Sequence, residues 1–381
     1  MRHATLLYGI VAATAFALAA CGGGSGGSAS GGGYSSGSMP ATTPATGTSY
    51  AATNLVADVG TADSPYQSSN GDLHLVNGWG VAFNPQGFVW VADNGTSTST
   101  LYDGNGVPQS LVVAIPAGHA GSARPTGIAF NGKQSFNVTR NGVSAASVFI
   151  FAGAAGTVSG WTPGVDPGNA ITAVDNAAAG AVYTGLALAS QGAADRLYAA
   201  DFHGAKVDVF DSNFTSVNVA GAFVDPALPP GYAPFGIQAL GGLIYVAYAR
   251  QDASASAQVA GAGLGTVDTF DTAGNLVQRL IPAGGPLNAP WGIAMAPSNF
   301  GQFSNALLVA NAGDGRINAF NPTSGALLGT LSTATGGPIA IDGLHGIAFG
   351  NGLNAQPSNT LFYAAGPGGG THGVYGRIDL Q

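Results

Sequence analysis

The chain has 381 residues, a formal net charge of −8 and only 7% charged residues, and all of its acidic side chains are Asp. This charge balance, with no basic run to neutralise phosphates, argues against nucleic acid as a partner. The lack of Glu, a helix former, and the presence of 62 glycines favour strands and turns over helices.

The N-terminus has the pattern of an export signal. A basic start precedes an apolar stretch at residues 6–20, and such a signal (residues 1–20) is removed from the mature protein. The following Leu-Ala-Ala-Cys at residues 18–21 resembles the lipobox of bacterial lipoproteins, whose cysteine is acylated. This resemblance implies that Cys21 anchors the protein to a membrane of the bacterial cell envelope, and Gly22 resembles the residue found there in outer-membrane lipoproteins. An ordinary secretory signal with an incidental cysteine is the alternative.

Residues 21–52 are predicted to be a tether. From residue 22 to residue 52 no side chain is charged, and Gly, Ser, Thr, Ala and Pro dominate. Such a segment cannot bury enough apolar surface to offset its chain entropy, so we expect a flexible spacer between the lipid and the folded part.

A repeat of about fifty residues organises the rest of the chain, residues 53–381. An aromatic, Thr or His residue precedes a glycine that opens a short apolar strand. This pattern occurs at Gly80, Gly127, Gly185, Gly236, Gly292 and Gly346. A period of this length with strand-like content is the signature of a β-propeller with six blades.

Further strands follow each glycine motif. Second strands are predicted at 88–93, 148–153, 196–201, 243–248, 307–311 and 361–366, the second of them after an insertion around residues 132–146. Third strands are predicted at 205–211, 265–271, 315–321 and 373–379. Their alternation of polar and apolar residues indicates half-buried strands that end in hairpins. The fold class is therefore all-β, a six-bladed β-propeller of four-stranded antiparallel blades.

The last blade is one strand short at the C-terminus, and residues 53–58 have no blade of their own. We expect this N-terminal strand to complete the last blade, because closure removes an exposed sheet edge.

The repeats resemble those of known propellers. A Pro-x-Gly-Ile-Ala strand, a second strand ending in Ala-Asp or Ala-Asn, and Gly-Arg-Ile-x-x-Phe at 315–320 are close to an NHL repeat. The chain thus resembles the six-bladed NHL, streptogramin-lyase-like and gluconolactonase-like superfamilies. More narrowly, it looks like an uncharacterised family of exported bacterial propeller proteins, which implies no particular activity.

One face of such a propeller gathers the candidate site residues. Those entering the first strands are Trp79, Arg124, Thr126, Thr184, Phe235, Trp291 and His345. Those in neighbouring loops are Asp93, Asn94, Asp201, His203, Tyr248, Arg250, Asn311, Asp314 and His372. Ligands usually bind at the mouths of closed β structures. The structural alternative is that Asp93, Asp201 and Asn311 cap their own turns, and that Trp79 and Trp291 plug the channel.

Candidate catalytic residues are few. Asp201 and His203 could act as orienter and base, and His345 and His372 fall in the same last blade. Gluconolactonase-like propellers hold a divalent cation with a Glu, Asn and Asp set, which this chain cannot reproduce without Glu. A Ca²⁺ ion held by Asp and backbone oxygens is the remaining metal hypothesis.

Three functions are compatible with these observations, the third being a purely structural role in the envelope. The first is a monomeric, lipid-anchored binding or scaffold module of the envelope, with a protein or glycan as its ligand. The alternative is a metal-assisted, lactonase-like hydrolase or lyase that acts on a small molecule at the channel mouth. The sequence leaves the choice between binding and catalysis open.

Overall fold

The computed structural model describes residues 47–59 and 66–381. The predicted signal peptide, the lipidation site Cys21 and most of the tether lie outside these residues. The described chain forms the predicted six-bladed β-propeller of antiparallel sheets. No helix within it is long and apolar enough to cross a membrane.

The strands follow the repeat in chain order. Before the first blade come β1 (Tyr50–Ala57) and β2 (Asn70–Gly71). Blade 1 contains β3 (Gly78–Phe83), β4 (Val89–Asp93), β5 (Thr98–Tyr102) and β6 (Val113–Ala114). Blade 2 starts with β7 (Pro125–Phe130), leaves the sheet in a hairpin of β8 (Asn137–Arg140) and β9 (Val143–Ala146), and resumes with β10 (Phe149–Gly153), β11 (Thr157–Trp161) and β12 (Ile171–Asp175). The hairpin is the predicted insertion.

The remaining blades repeat the arrangement. After a 3₁₀ turn (Ala177–Ala179), blade 3 contains β13 (Tyr183–Gln191), β14 (Ala194–Asp201) and β15 (Lys206–Phe210). Blade 4 contains β16 (Tyr232–Leu240), β17 (Leu243–Arg250), β18 (Gly265–Phe270) and β19 (Leu276–Ile281). Blade 5 contains β20 (Pro290–Met295), a 3₁₀ turn (Gly301–Phe303), β21 (Leu307–Asn311), β22 (Ile317–Phe320) and β23 (Leu327–Thr330). Blade 6 contains β24 (Leu344–Phe349), β25 (Leu361–Ala365), a single turn α1 (Pro367–Gly370) and β26 (Val374–Leu380).

The N-terminal strand closes blade 6, as the sequence predicts. Strand β1 pairs antiparallel with β26, from Tyr50 opposite Leu380 to Ala57 opposite Val374. It begins at Tyr50 and not at Thr53, so residues 50–52 belong to the sheet instead of the tether. The reason is packing: Tyr50 is 1% exposed, and its hydroxyl donates to the Phe300 carbonyl at 2.9 Å.

Blade 3 departs from the four-stranded pattern. Its sheet contains only β13, β14 and β15. In a four-stranded blade, a carbonyl of the fourth strand would accept the Val209 N–H. Here the Asn218 side chain accepts it instead, with 2.7 Å between the Val209 nitrogen and Asn218 Oδ1. The segment after β15 is therefore held by isolated contacts and not by a continuous ladder.

The inner strands form a closed ring in which each contacts the next, and β24 contacts β3. The repeated glycines lie at these contacts. A Cβ at Gly236 would stand 2.0 Å from the Trp291 carbonyl oxygen, and one at Gly346 would stand 2.3 Å from that of Trp79. The repeat is thus the signature of inner strands that meet backbone to backbone.

Candidate ligand site at the channel mouth

Four rings close the central opening at the start of the inner strands. His345 stacks on Trp79 with centroids 3.9 Å apart and planes 16° apart. Trp291 and Phe235 meet Trp79 edge-on, at 5.7 Å and 5.9 Å. We call these four residues the aromatic plug. Offset and edge-to-face contacts of this kind favour tight packing of aromatic rings.

Hydrogen bonds fix the plug to neighbouring blades. The Trp291 indole N–H of blade 5 donates to the Thr184 carbonyl of blade 3 at 2.7 Å. Outside the plug, the Thr126 hydroxyl at the start of β7 donates to the Tyr183 carbonyl at 2.8 Å and joins blades 2 and 3. The Trp79 indole N–H donates to Asn77 Oδ1 at 3.2 Å. The plug therefore joins several blades, and Trp291, at 9% exposure, serves as packing.

His345 is buried in an uncharged state. The residue is 6% exposed, and both ring nitrogens are covered and form no hydrogen bond of good geometry with the described residues. Burial lowers the pKa of His345 to about 3, because desolvation disfavours the imidazolium. A buried ring whose charged form is disfavoured is poorly suited to act as a general base near neutral pH.

A cavity of about 280 Å³ opens over Trp79 and His345. Its other lining residues are Asn77, Gln258, Ala312, Asp342, Gly343, Gly366, Gly369 and Gly370. Asp342 is the only charged residue in this lining, and its Oδ2 accepts the Gly368 N–H at 2.9 Å. The turn at residues 368–370 forms one edge of the cavity. All three of its glycines have positive φ, which glycine adopts without strain. Because glycine has no side chain, Gly369 and Gly370 line the cavity with backbone atoms.

The structure brings Trp79, Trp291 and His345 together but separates other predicted site residues from the mouth. Asp93 is fully buried in blade 1 and accepts the Thr98 and Thr100 hydroxyls at 3.1 Å and 3.2 Å. Burial raises the pKa of Asp93 well above its usual value. Tyr248 is also buried, at 1% exposure. These two predicted ligand-face residues are interior residues: Asp93 is the buried last residue of β4, and Tyr248 lies within β17, which continues to Arg250.

Several loop residues serve as turn or loop anchors. Asp201 Oδ1 accepts the Val182 and Gly204 N–H groups, both at 3.0 Å. The Asn311 amide donates to Asp314 Oδ1 at 3.0 Å and to the Pro286 carbonyl at 3.0 Å.

On the rim of the same face, Asn94 joins two blades. Its amide donates to the Arg124 carbonyl at 3.0 Å. The side chains of Arg124 and Arg250 are exposed.

The predicted acid–base pairs are not formed. His203 Nδ1 lies 3.3 Å from the Ala255 carbonyl, and the second oxygen of Asp201 lies 3.6 Å from Lys206 Nζ. His372 instead contacts Asp58, with 3.0 Å between Nδ1 and Oδ2.

The contact between His372 and Asp58 was not predicted from the sequence. The predicted pairing of residues 53–58 with the last blade was the available signal, because it brings Asp58 beside Gly373, whose N–H donates to Asp58 Oδ1 at 3.2 Å. The pair has a base-and-orienter geometry, but neither residue lines the cavity.

Within residues 47–59 and 66–381, no three His, Cys, Asp or Glu side chains come together as a metal site. The hypothesis of a Ca²⁺ ion therefore gains no support from a carboxylate cluster in this part of the chain.

The six sheets and the closed ring of inner strands define the protein as a six-bladed β-propeller. No family model matches the chain. It is 36% identical over 320 residues to "Uncharacterized protein R648" of Acanthamoeba polyphaga mimivirus, covering 82% of this chain and 77% of that protein. The chain belongs to the same family as this protein. "Uncharacterized protein L690" of the same virus is 33% identical over 285 residues, covering 73% of this chain and 74% of the relative. These relatives are viral and do not support the narrower expectation of a bacterial family.

Solved structures resemble this chain at low sequence identity. A structural genomics protein of unknown function from Bacteroides thetaiotaomicron has a TM-score of 0.53 at 11% identity, covering 87% of this chain and 76% of that one. A streptogramin B lyase structure has a TM-score of 0.49 at 13% identity, with 87% and 97% covered. The likeness to the first extends to the fold alone.

Proposed function

We propose that this propeller is a binding module that takes a neutral saccharide at the channel mouth. The observation that carries the proposal is the cavity of about 280 Å³ over the aromatic plug. Binding is favoured over catalysis there because His345, the one imidazole in the lining, is neutral and covered.

The composition of the lining supports the ligand class. Gln258 offers an amide without a hydrogen bond to the described residues, and Asp342 keeps Oδ1 as a free acceptor. Sugar hydroxyls both donate and accept, so they suit an amide and a carboxylate together. Trp79 supplies an apolar ring for the carbon face of a sugar. An anionic ligand would meet a carboxylate and no cation in this lining.

Binding can be tested on an array of neutral and anionic glycans. We expect neutral glycans to bind and Asp342→Ala to weaken them about 10-fold or more, since a hydrogen bond to a charged group contributes about 1.5–3 kcal/mol. Asp271→Ala is the matched control, because Asp271 also caps a turn, between β18 and β19, through the Ala273 and Asn275 N–H groups, and does not line the cavity. Preferential binding of anionic glycans, or an equal effect of the two variants, would contradict the proposal.

We further propose that Cys21 anchors this module to a membrane of the bacterial cell envelope. Its support is the Leu-Ala-Ala-Cys sequence and the uncharged segment that follows. In an expressing bacterium we expect the chain to incorporate labelled palmitate and to sediment with membranes, and Cys21→Ala to lose both properties. Palmitate-free protein that sediments with membranes equally well in both forms would rule the anchor out.

A further inference from the structure

A second polar cluster lies inside blade 4, away from the channel mouth. Asp268, on β18, is 0% exposed, and neither of its carboxylate oxygens has a hydrogen-bond partner. The hydroxyl of Tyr248, on β17, is likewise buried without a partner. Buried polar atoms normally have partners, so these three atoms need an explanation.

The crossover between blades 3 and 4, residues 211–231, brings a second carboxyl to the cluster. Asp225 accepts hydrogen bonds from Arg279 of β19, with 2.8 Å from Nε to Oδ2 and a second contact from Nη2. Its Oδ1 also accepts the Ala227 N–H at 2.9 Å. Arg279 is thus committed to Asp225, and its Nε lies 3.9 Å from Asp268 Oδ1.

The charges of the cluster do not balance. The titratable groups that face Asp268 are Tyr248, Arg279 and Asp225, one from each packed element. One guanidinium can compensate one carboxylate, and a second buried carboxylate without a partner is costly. A proton on Asp268 would remove this excess charge and supply a donor.

The equivalent residue of blade 3 shows the difference. Asp208, on β15, accepts the Tyr183 hydroxyl at 2.9 Å, the Asn218 amide at 2.8 Å and the Lys206 ammonium. Asp208 therefore has a full set of donors, whereas Asp268 has only Tyr248 and Arg279 nearby and forms no hydrogen bond with the described residues.

We propose that Asp225 and Asp268 form a proton-binding site in which Asp268 takes up one proton from water and donates it in a hydrogen bond to Asp225, so that protonation clamps the crossover to blade 4. Burial, followed by repulsion from Asp225, raises the pKa of Asp268 to about 7. Asp268 therefore releases this proton near neutral pH, and the hydrogen bond that holds the crossover to blade 4 depends on pH in that range.

The sign of the effect on stability follows from linkage. The folded-state pKa lies above the unfolded value, so the stabilisation is complete below the unfolded pKa and is lost as pH rises through about 7. Between about pH 5.5 and about pH 8.5, we expect the unfolding equilibrium constant of the wild type to rise about 30-fold relative to that of Asp268→Asn. The amide of that variant is neutral at every pH, like the protonated carboxyl.

The experiment compares chemical unfolding of the full chain at the two pH values with infrared difference spectra of the folded protein. A protonated-carboxyl band that titrates in the neutral range should disappear as pH rises in the wild type, and Asp268→Asn should lack this component while keeping any contribution from the buried Asp93. Asp208→Asn is the matched control and should keep the wild-type change with pH. Tyr248→Phe, which removes a donor near the carboxylate, should move the midpoint of the band to higher pH.

If Asp268→Asn does not fold, the proposal is tested by comparing the midpoint of the carboxyl band in the wild type and in Tyr248→Phe. Equal pH dependence of the wild type and Asp268→Asn would overturn the proposal. So would the lack of a titrating carboxyl band in the wild type and in Tyr248→Phe.

Discussion

At the residue scale, the inner-strand glycines are sites of close backbone approach. Gly292 lies where a Cβ would stand 2.4 Å from the His345 carbonyl oxygen, and Gly127 where it would stand 2.4 Å from the Leu186 nitrogen. Real Cβ atoms do not approach backbone atoms so closely, and backbone in a closed ring has little room to yield. Each such glycine therefore sets the spacing between two adjacent blades.

The close approach of the inner strands predicts the effect of a single added methyl group. Gly236→Ala should destabilise the protein by about 2 kcal/mol or more, because the Cβ would meet the Trp291 carbonyl at 2.0 Å. The measurement is the free energy of unfolding in urea.

Gly164→Ala is the control for that measurement. A Cβ at Gly164 meets nothing within 4 Å, and its φ is not positive, so the change should stay within about 0.5 kcal/mol. Equal stability of the two variants would show that the inner strands do not meet as described.

At the scale of elements, the strand count allowed the closure of blade 6 to be predicted. A sixth blade that lacks a strand needs a partner, and residues 53–58 were the only strand-like segment left. The start at Tyr50 could not be predicted, because it depends on the pocket that Phe300 and Phe303 form around that ring. These two residues lie about 250 positions away in the sequence.

The third strands show a second limit of the sequence pattern. Alternation indicates one exposed face, yet Ser159, Asp208, Asp268 and Asn318 are all 3% exposed or less. Both faces of a propeller strand pack against neighbouring blades, so an alternating strand buries its polar side chains. Asp208 and Asn318 find hydrogen-bond partners in other elements, such as Asn218 in the crossover after β15 and Thr330 in β23, and a repeat pattern does not reveal them.

At the scale of the whole molecule, the ring brings residues from distant repeats to one axis. The position of a residue in the repeat predicted that Trp79, Trp291 and His345 meet, because each precedes an inner-strand glycine. The cavity above them could not be predicted in this way. Its wall depends on the glycine turn at 368–370 and on Asp342, which lie outside the repeated pattern.

The most direct measurement is the titration of His345 by NMR in protein labelled at histidine, with His345→Phe to assign the signal. Because the ring is buried in the aromatic plug, the pKa of His345 should be about 3, and the ring should stay neutral at higher pH. A midpoint near the ordinary histidine value of about 6.5 would contradict the account, since it would mean that water reaches the ring and the channel mouth is open.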